Sequence, residues 1–379
     1  MILHILACIF GVLLIWLIVQ DGFETIVLPR RVARKFRLAR LFFTFTWNLW
    51  SVPGRKMHPG NRREHFLSYY GPLSLLLLLA IWAAGLICGF ALLQWGLQVP
   101  LSSPEKGTAF GTYLYMSGVT FVTLGYGDVI PLMVGGRVLA VAECGVGLAF
   151  LALVIGYLPV IYQAFSRRES MIALLDARAG SPPCTVELLR RNAHSGNYSE
   201  LVAFIREWEK WCAEILESHL SYPVLTYYRS QHERQSWLAS LTMLLDTCAL
   251  VITGIDGIPL KPFKFIFAIA RHASVDLAQV YGTPPLETTK RLTADDFAKL
   301  SMQLEAAGLH FSDSVAAERR LADIRSMYEP FVISLSEHLL MPLPNWLSQD
   351  ERVDDWQTSA WDHFLEASPQ TLDRAMRRE

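Results

Sequence analysis

The sequence predicts an all-α membrane protein whose second half is a separate helical domain. Two observations carry this. The first 165 residues hold three long apolar runs (Ile2 to Val19, Gly71 to Gln98 and Leu132 to Phe165), and from Ser166 onward apolar residues recur at amphipathic helical spacing. Composition agrees: 379 residues are 52% hydrophobic with a mean hydropathy of +0.28. The net charge of -1 hides two unlike parts, since the residues through Phe165 carry 12 Lys and Arg against 6 Asp and Glu, and the remainder 22 against 29. Six cysteines (Cys8, Cys88, Cys144, Cys184, Cys212 and Cys248) show neither zinc-like spacing nor a disulfide framework.

Ile2 to Val19 has no basic residue before it, whereas Arg30, Arg31, Arg34, Lys35, Arg37 and Arg40 follow closely. A secretory signal carries its positive charges first. The reversed order predicts an uncleaved helix over 1–20 with its N-terminus outside. Residues 21–70 form a basic, interfacial cytoplasmic linker, with eight Arg and two Lys between Asp21 and Ser68. Within it, Phe36 to Trp50 mixes Arg37 and Arg40 with Phe42, Phe43, Phe45, Trp47 and Trp50, a composition suited to the membrane surface. Gly71 to Gln98 holds 28 residues without a charge, enough for a tilted span. Val99 to Gly107 adds only Glu105 and Lys106, so this loop falls outside, while Arg167 and Arg168 hold everything after the third span in the cytoplasm. Thr108 to Val122 is too short to cross a bilayer and reads as a re-entrant half-helix, whose C-terminal partial negative charge favours a cation beyond it.

That half-helix runs into Thr123-Leu124-Gly125-Tyr126-Gly127-Asp128. Two glycines alternating with larger residues permit a strand in which successive carbonyls face one way. The hexapeptide resembles the selectivity filter of the potassium-channel superfamily, whose carbonyl rings replace an ion's hydration shell. The likeness covers about Gly71 to Phe165, including Pro131 and the Gly136-Arg137 pair. It implies a two-helix pore domain over 71–165 with outer helix, re-entrant pore helix, filter and inner helix, in a bacterial inner (plasma) membrane. By this resemblance K+ is held by the backbone carbonyls of Thr123, Leu124, Gly125 and Tyr126, and Asp128 forms a ring of negative charge at the outer mouth. One such loop per chain implies a homotetramer.

Gly147 falls at the family's inner-helix hinge, and Gly156 and Pro159 follow, with Pro159 near the level where inner helices converge. These three are candidates for the hinge and gate. Leu124 replaces the commoner Val or Ile, and Val119 stands where some relatives carry a glutamate that bonds the filter aspartate. Glu143 is the acid inside the third span, and an ionisable group at that depth is a functional candidate. Two roles are open to it: a cavity acid that attracts cations, or a brace behind the filter.

Residues 166–379 predict an all-α cytoplasmic domain. Asn197 with Glu200 marks a helix start, and Leu201, Phe204, Ile205, Trp208, Cys212, Ile215, Leu216 and His219 mark its buried face. Thr293 with Asp296 forms a capping-box pattern. Trp237 to Ile255 is apolar enough for a fourth span, but Asp246 at its centre makes it a core helix. No GxGxxG follows a strand, no alternating β runs suggest a cyclic-nucleotide barrel, and no basic stripe suits nucleic acid. His194, His219, His232, His272, His310, His338 and His363 are scattered singly, and His232-Glu233 lacks a second histidine four residues on.

The expected function is passive potassium conduction, not catalysis, without a cofactor, in contact with lipid. Two other readings fit the sequence: a weakly selective cation channel, and a membrane-anchored sensor or adaptor whose C-terminal domain carries the function. The first span lacks the repeated arginines of a voltage sensor.

Overall fold

A computed structural model describes residues 1–28, 37–103, 109–192, 198–231, 234–286, 291–311 and 314–347. Arg30, Arg31, Arg34, Lys35, Glu105, Lys106, Thr108, His194, Asn197, His232, Glu233 and His363 lie outside the described residues. In chain order the helices are α1 (Ile2–Gly22), α2 (Leu38–Lys56), α3 (Asn61–Ser68), α4 (Tyr70–Gly96), α5 (Phe110–Phe121), α6 (Val134–Ala179), α7 (Thr185–Asn192), α8 (Ser199–Ser221), α9 (Trp237–Gly254), α10 (Leu260–Tyr281), α11 (Ala294–Ala306), α12 (Ser314–Ser326) and α13 (Glu329–Leu339). A wide turn, Phe23–Val27, extends α1, and a tight turn, Pro223–Tyr227, follows α8. Strands β1 (Leu101–Ser102) and β2 (Ile130–Pro131) pair antiparallel, Leu101 opposite Pro131.

Two compact units result. The first contains Met1–Val52, Ser68–Gln163 and Ser221–Tyr228; the second contains Pro53–Leu67, Ala164–Leu220 and Arg229–Glu379. The sequence predicts one linker over 21–70 and a boundary after 165. The division falls elsewhere: residues up to Val52 pack with the first unit, and an octapeptide from beyond residue 166 joins it.

In the first unit α1 lies antiparallel against α4, with the His4 ring 4.9 Å from Trp95 at one end and Asp21 bonded to Trp82 at the other. Small residues permit this close approach. A Cβ on Gly11 would stand 2.7 Å from the Gly89 carbonyl, and one on Gly96 would stand 2.6 Å from that of His4. Asp21, fully buried, accepts from the Trp82 indole at 3.2 Å and from the Ala39 N–H at 3.0 Å. It thereby satisfies an otherwise orphan donor in the first turn of α2. The α2 helix has two apolar faces. Ala39, Phe43 and Trp47 are buried, whereas Leu41, Phe45 and Leu49 are exposed at four-residue spacing, an arrangement suited to a helix lying at a lipid surface.

In the second unit α9 is the central helix. By length and composition it could span a membrane, yet 89% of it is buried, against 17%, 44% and 11% for the spans built on α1, α4 and α6. Asp246 at its middle is paired: its carboxylate accepts from Arg291 at 3.1 and 2.8 Å and from the Tyr328 hydroxyl at 2.6 Å. Arg291 also donates to the Pro344 carbonyl at 2.7 Å, and Arg325 bonds Glu329 at 3.0 Å. Both guanidiniums stack on Trp346, at 5.7 and 5.3 Å. The expected capping box forms, with the Thr293 hydroxyl accepting from the Asp296 N–H at 3.1 Å and the Asp296 carboxylate accepting in return. At the C-terminus of α13, Arg55 donates to the Glu337 carbonyl, Arg63 to that of Leu340, and Arg229 to those of Leu339 and Leu340. Cations there complement the helix dipole and occupy its orphan carbonyls. They also explain why Pro53–Leu67 belongs to this unit.

The predicted face of α8 is buried as expected, except for Leu216, which is partly exposed, and Trp211 joins it. His219 is fully buried beside Arg168. Its Nδ1 must donate to the Ile215 carbonyl at 2.9 Å, which leaves Nε2 to accept from the Arg168 guanidinium at 3.3 Å. Burial, and then the Arg168 charge, hold the imidazole well below the ordinary histidine range. Burial, with Arg55 nearby, takes His338 down to about 4. The unfolded chain therefore binds more protons than the folded one below about pH 6.5, so stability is lost as pH falls from there. The thermal midpoint of the full-length chain in detergent should drop between about pH 7.5 and about pH 5. His219→Gln, which keeps an acceptor and removes the titration, should make that drop smaller; an equal drop in the variant would contradict the assignment.

Candidate functional site

The TLGYGD segment emerges from the end of α5. The helix spans 12 residues, Phe110–Phe121, starting two residues later than the sequence suggested. It ends in a Schellman arrangement: the Thr123 N–H bonds the Thr120 carbonyl at 3.1 Å and the Leu124 N–H bonds that of Val119 at 2.9 Å. The left-handed position in this motif is Thr123, at φ 61°. Glycine is the usual occupant, and a β-branched residue held there marks stored strain. Gly125 at φ 59° and Gly127 at φ 76° repeat the left-handed backbone at alternate positions. Such alternation turns successive peptide groups toward one side, which lines up carbonyls as a cation ligand.

Leu124 and Tyr126 are exposed, at 56% and 70%. Nothing lies within 4 Å of where a Cβ would stand on Gly125 or Gly127. Among the described residues, the Tyr126 and Gly127 N–H groups make no backbone hydrogen bond. The segment is therefore held from its flanks. Asp128 accepts from the Tyr115 hydroxyl of α5 at 2.9 Å and from the Val129 N–H at 3.1 Å. The β1–β2 pairing fixes the chain just beyond, and Arg137 donates to the Pro131 carbonyl at 3.2 Å.

A family model described as "Ion channel" matches residues 76–163, which run from within α4 through α5 and the TLGYGD segment into α6. The same region resembles Protein LctB of Bacillus caldotenax, 36% identical over 93 residues, which cover 22% of this chain and 69% of that protein. The chain belongs to the ion channel family. No solved structure matches it.

Within this channel domain Glu143 is buried at 0% exposure. Its carboxyl lies in hydrogen-bond contact with the Ser117 hydroxyl of α5 and accepts from the Gln94 amide of α4 at 3.2 Å. Ser117 also donates to the Ile87 carbonyl at 2.7 Å. One acid thus ties together α4, α5 and α6. Gly147, one turn further along α6, sits against the end of α5, where a Cβ would collide with the Phe121 carbonyl. This close backbone approach gives Gly147 a packing role. At Gly156 nothing lies within 4 Å, and Pro159 falls inside the continuous α6 helix.

The α6 helix has two faces. Glu143, Gly147, Tyr157 and Ile161 are buried, whereas Val134, Val138, Val141, Leu148, Ile155 and Tyr162 form an exposed apolar stripe. Sequence reasoning identified Glu143 but missed Tyr115, Ser117 and Gln94. Among the described residues no cluster of His, Cys, Asp or Glu is arranged to hold a metal ion.

Two substitutions test these ties. Glu143→Leu strands the Gln94 amide and should cost about 1–3 kcal/mol, seen as a lower thermal midpoint, with Glu143→Gln falling between Leu and wild type. A wild-type midpoint in the Leu variant would refute the tie. Tyr115→Phe removes one solvent-exposed hydrogen bond. It should leave the midpoint nearly unchanged while altering cation selectivity in reversal-potential measurements; unchanged selectivity would show that Asp128 needs no such partner.

Proposed function

We propose that this channel conducts potassium passively through a homotetrameric pore, with the TLGYGD segments of four chains surrounding one axis. The observation that carries this is the alternate left-handed backbone at Thr123, Gly125 and Gly127, reached directly from the C-terminus of a short half-helix. Carbonyls of Thr123, Leu124, Gly125 and Tyr126 form the ion sites, and the negative end of the α5 dipole favours a cation beside them. Exposed, non-helical backbone is tolerated at membrane depth only where protein or a water-filled path covers it. Neighbouring copies supply that cover. The exposed stripe on α6 lines the path and meets the neighbours, and Asp128 concentrates cations at the mouth.

Glu143 serves as the brace, since a fully buried carboxyl bonded to two other helices does not face a cavity. The bend that opens the inner mouth falls at Gly156 and Pro159, with Gly147 as its fixed upper end. The membrane is the bacterial plasma membrane, with the N-terminus and filter mouth outside and the C-terminal domain in the cytoplasm. The channel needs no cofactor and catalyses no reaction.

Purified protein reconstituted in a bilayer should pass current that reverses near the potassium equilibrium potential in mixed potassium and sodium. Reversal midway between the two ions would indicate a weakly selective cation channel instead. Gly125→Asp should abolish the current. Absence of current from the wild-type protein, correctly assembled, would favour a sensor or adaptor role.

A further inference from the structure

The octapeptide Ser221–Tyr228 lies between α8 and α9 in sequence, yet it packs with the first unit, while both helices beside it belong to the second. Its tight turn, Pro223–Tyr227, is buried from Val224 through Tyr227. The Tyr227 ring stands 4.9 Å from Trp47 of α2 and 5.0 Å from Tyr70 of α4. Tyr228 covers Gly71, where a Cβ would come within 2.6 Å of its ring. The Tyr70 hydroxyl donates to the Phe43 carbonyl at 3.0 Å, which fixes the aromatic cluster to α2. At the other end of the octapeptide, the Tyr222 ring is 5.7 Å from that of Tyr157. Tyr157 is on α6, buried, two residues before Pro159.

One short segment therefore touches α2, α4 and α6 at once, and its contact on α6 is beside the proline. Its two ends are covalently continuous with α8 and α9. We propose that Ser221–Tyr228 is a strap that passes the state of the C-terminal helical domain to the inner helix, through the Tyr222–Tyr157 contact. The proposal rests on the reading of α6 as a pore-lining helix that bends near Pro159. An aromatic pair of this kind has an energy suited to biasing a two-state helix without locking it. The cluster around Tyr227 anchors the strap at its α9 end, so that displacement of α8 acts at Tyr222.

The test uses full-length protein in a bilayer and four variants: Tyr222→Ala, Tyr157→Ala, the double substitution and Tyr222→Phe. Each single alanine should change the ratio of open to closed times in the same direction, by roughly two- to tenfold. The double variant should change it no more than the larger single, and Tyr222→Phe should match wild type. Unchanged ratios in both singles, or effects that multiply in the double, would overturn the strap. If the wild-type protein passes no current, the pore reading fails and a second measurement decides the strap. Amide hydrogen exchange around Pro159 should be several-fold faster in Tyr222→Ala than in wild type, with α8 unchanged; equal exchange at Pro159 would overturn it.

Discussion

A strand that offers its carbonyls to an ion cannot also spend them on a ladder of its own. In this channel the segment from Thr123 to Asp128 has alternate left-handed residues, exposed side chains at Leu124 and Tyr126, and little internal hydrogen bonding. It is held instead by what surrounds it. The Schellman end of α5 fixes its start, Tyr115 holds Asp128 at its finish, and the β1–β2 pairing takes over within a few residues. Behind it, Glu143 ties α5 and α4 to α6 through Ser117 and Gln94.

This arrangement divides the inner helix into parts with different demands. Around Glu143 and Gly147 it must stay close to α5, because Gly147 meets the Phe121 carbonyl with no room for a Cβ. A residue packed against backbone is poorly placed to act as a free hinge, since opening there would also part α6 from the end of the pore helix. Gly156 has open space around it, and Pro159 lacks a backbone donor. A bend there, as proposed for the inner mouth, would leave the contacts of Glu143 and Gly147 in place. The same glycine-rich helix thus has one glycine that enforces contact and another that permits motion.

The parts of this design that are local were legible in the sequence. Apolar runs marked α1, α4 and α6, the 3.6-residue spacing marked the buried face of α8, and Thr293 with Asp296 marked the start of α11. Long-range pairings left no such mark. Gln94 and Glu143 are 49 residues apart, and neither position announces its partner. Tyr115 reads as one more aromatic in an apolar half-helix, although its hydroxyl holds Asp128. Asp21 reads as the first residue of a polar loop but is buried as a cap for α2. The strap was invisible for a related reason: Tyr-rich, moderately apolar sequence between two helices looks like an ordinary connection, and only its partners near residues 47, 70 and 157 distinguish it.

The lower half of α6 shows how such a strap gains leverage. Arg168 is buried in the second unit, where it pairs with Glu169 at 2.8 Å, donates to His219 and accepts on its carbonyl from the Trp211 indole. A buried guanidinium is costly to move, because any shift that breaks its bonds leaves a charge without partners. Tyr157 meets Tyr222 in the first unit. These two points are 11 residues apart on one continuous helix, about 16 Å at 1.5 Å per residue. Pro159 lies between them, just below the upper one. Under the proposed strap, a displacement of α8 and Arg168 is taken up where the hydrogen bonding of α6 is weakest, at Pro159. In the proposed strap the Tyr222 contact at Tyr157, two residues before that proline, is where a displacement of α8 biases the bend.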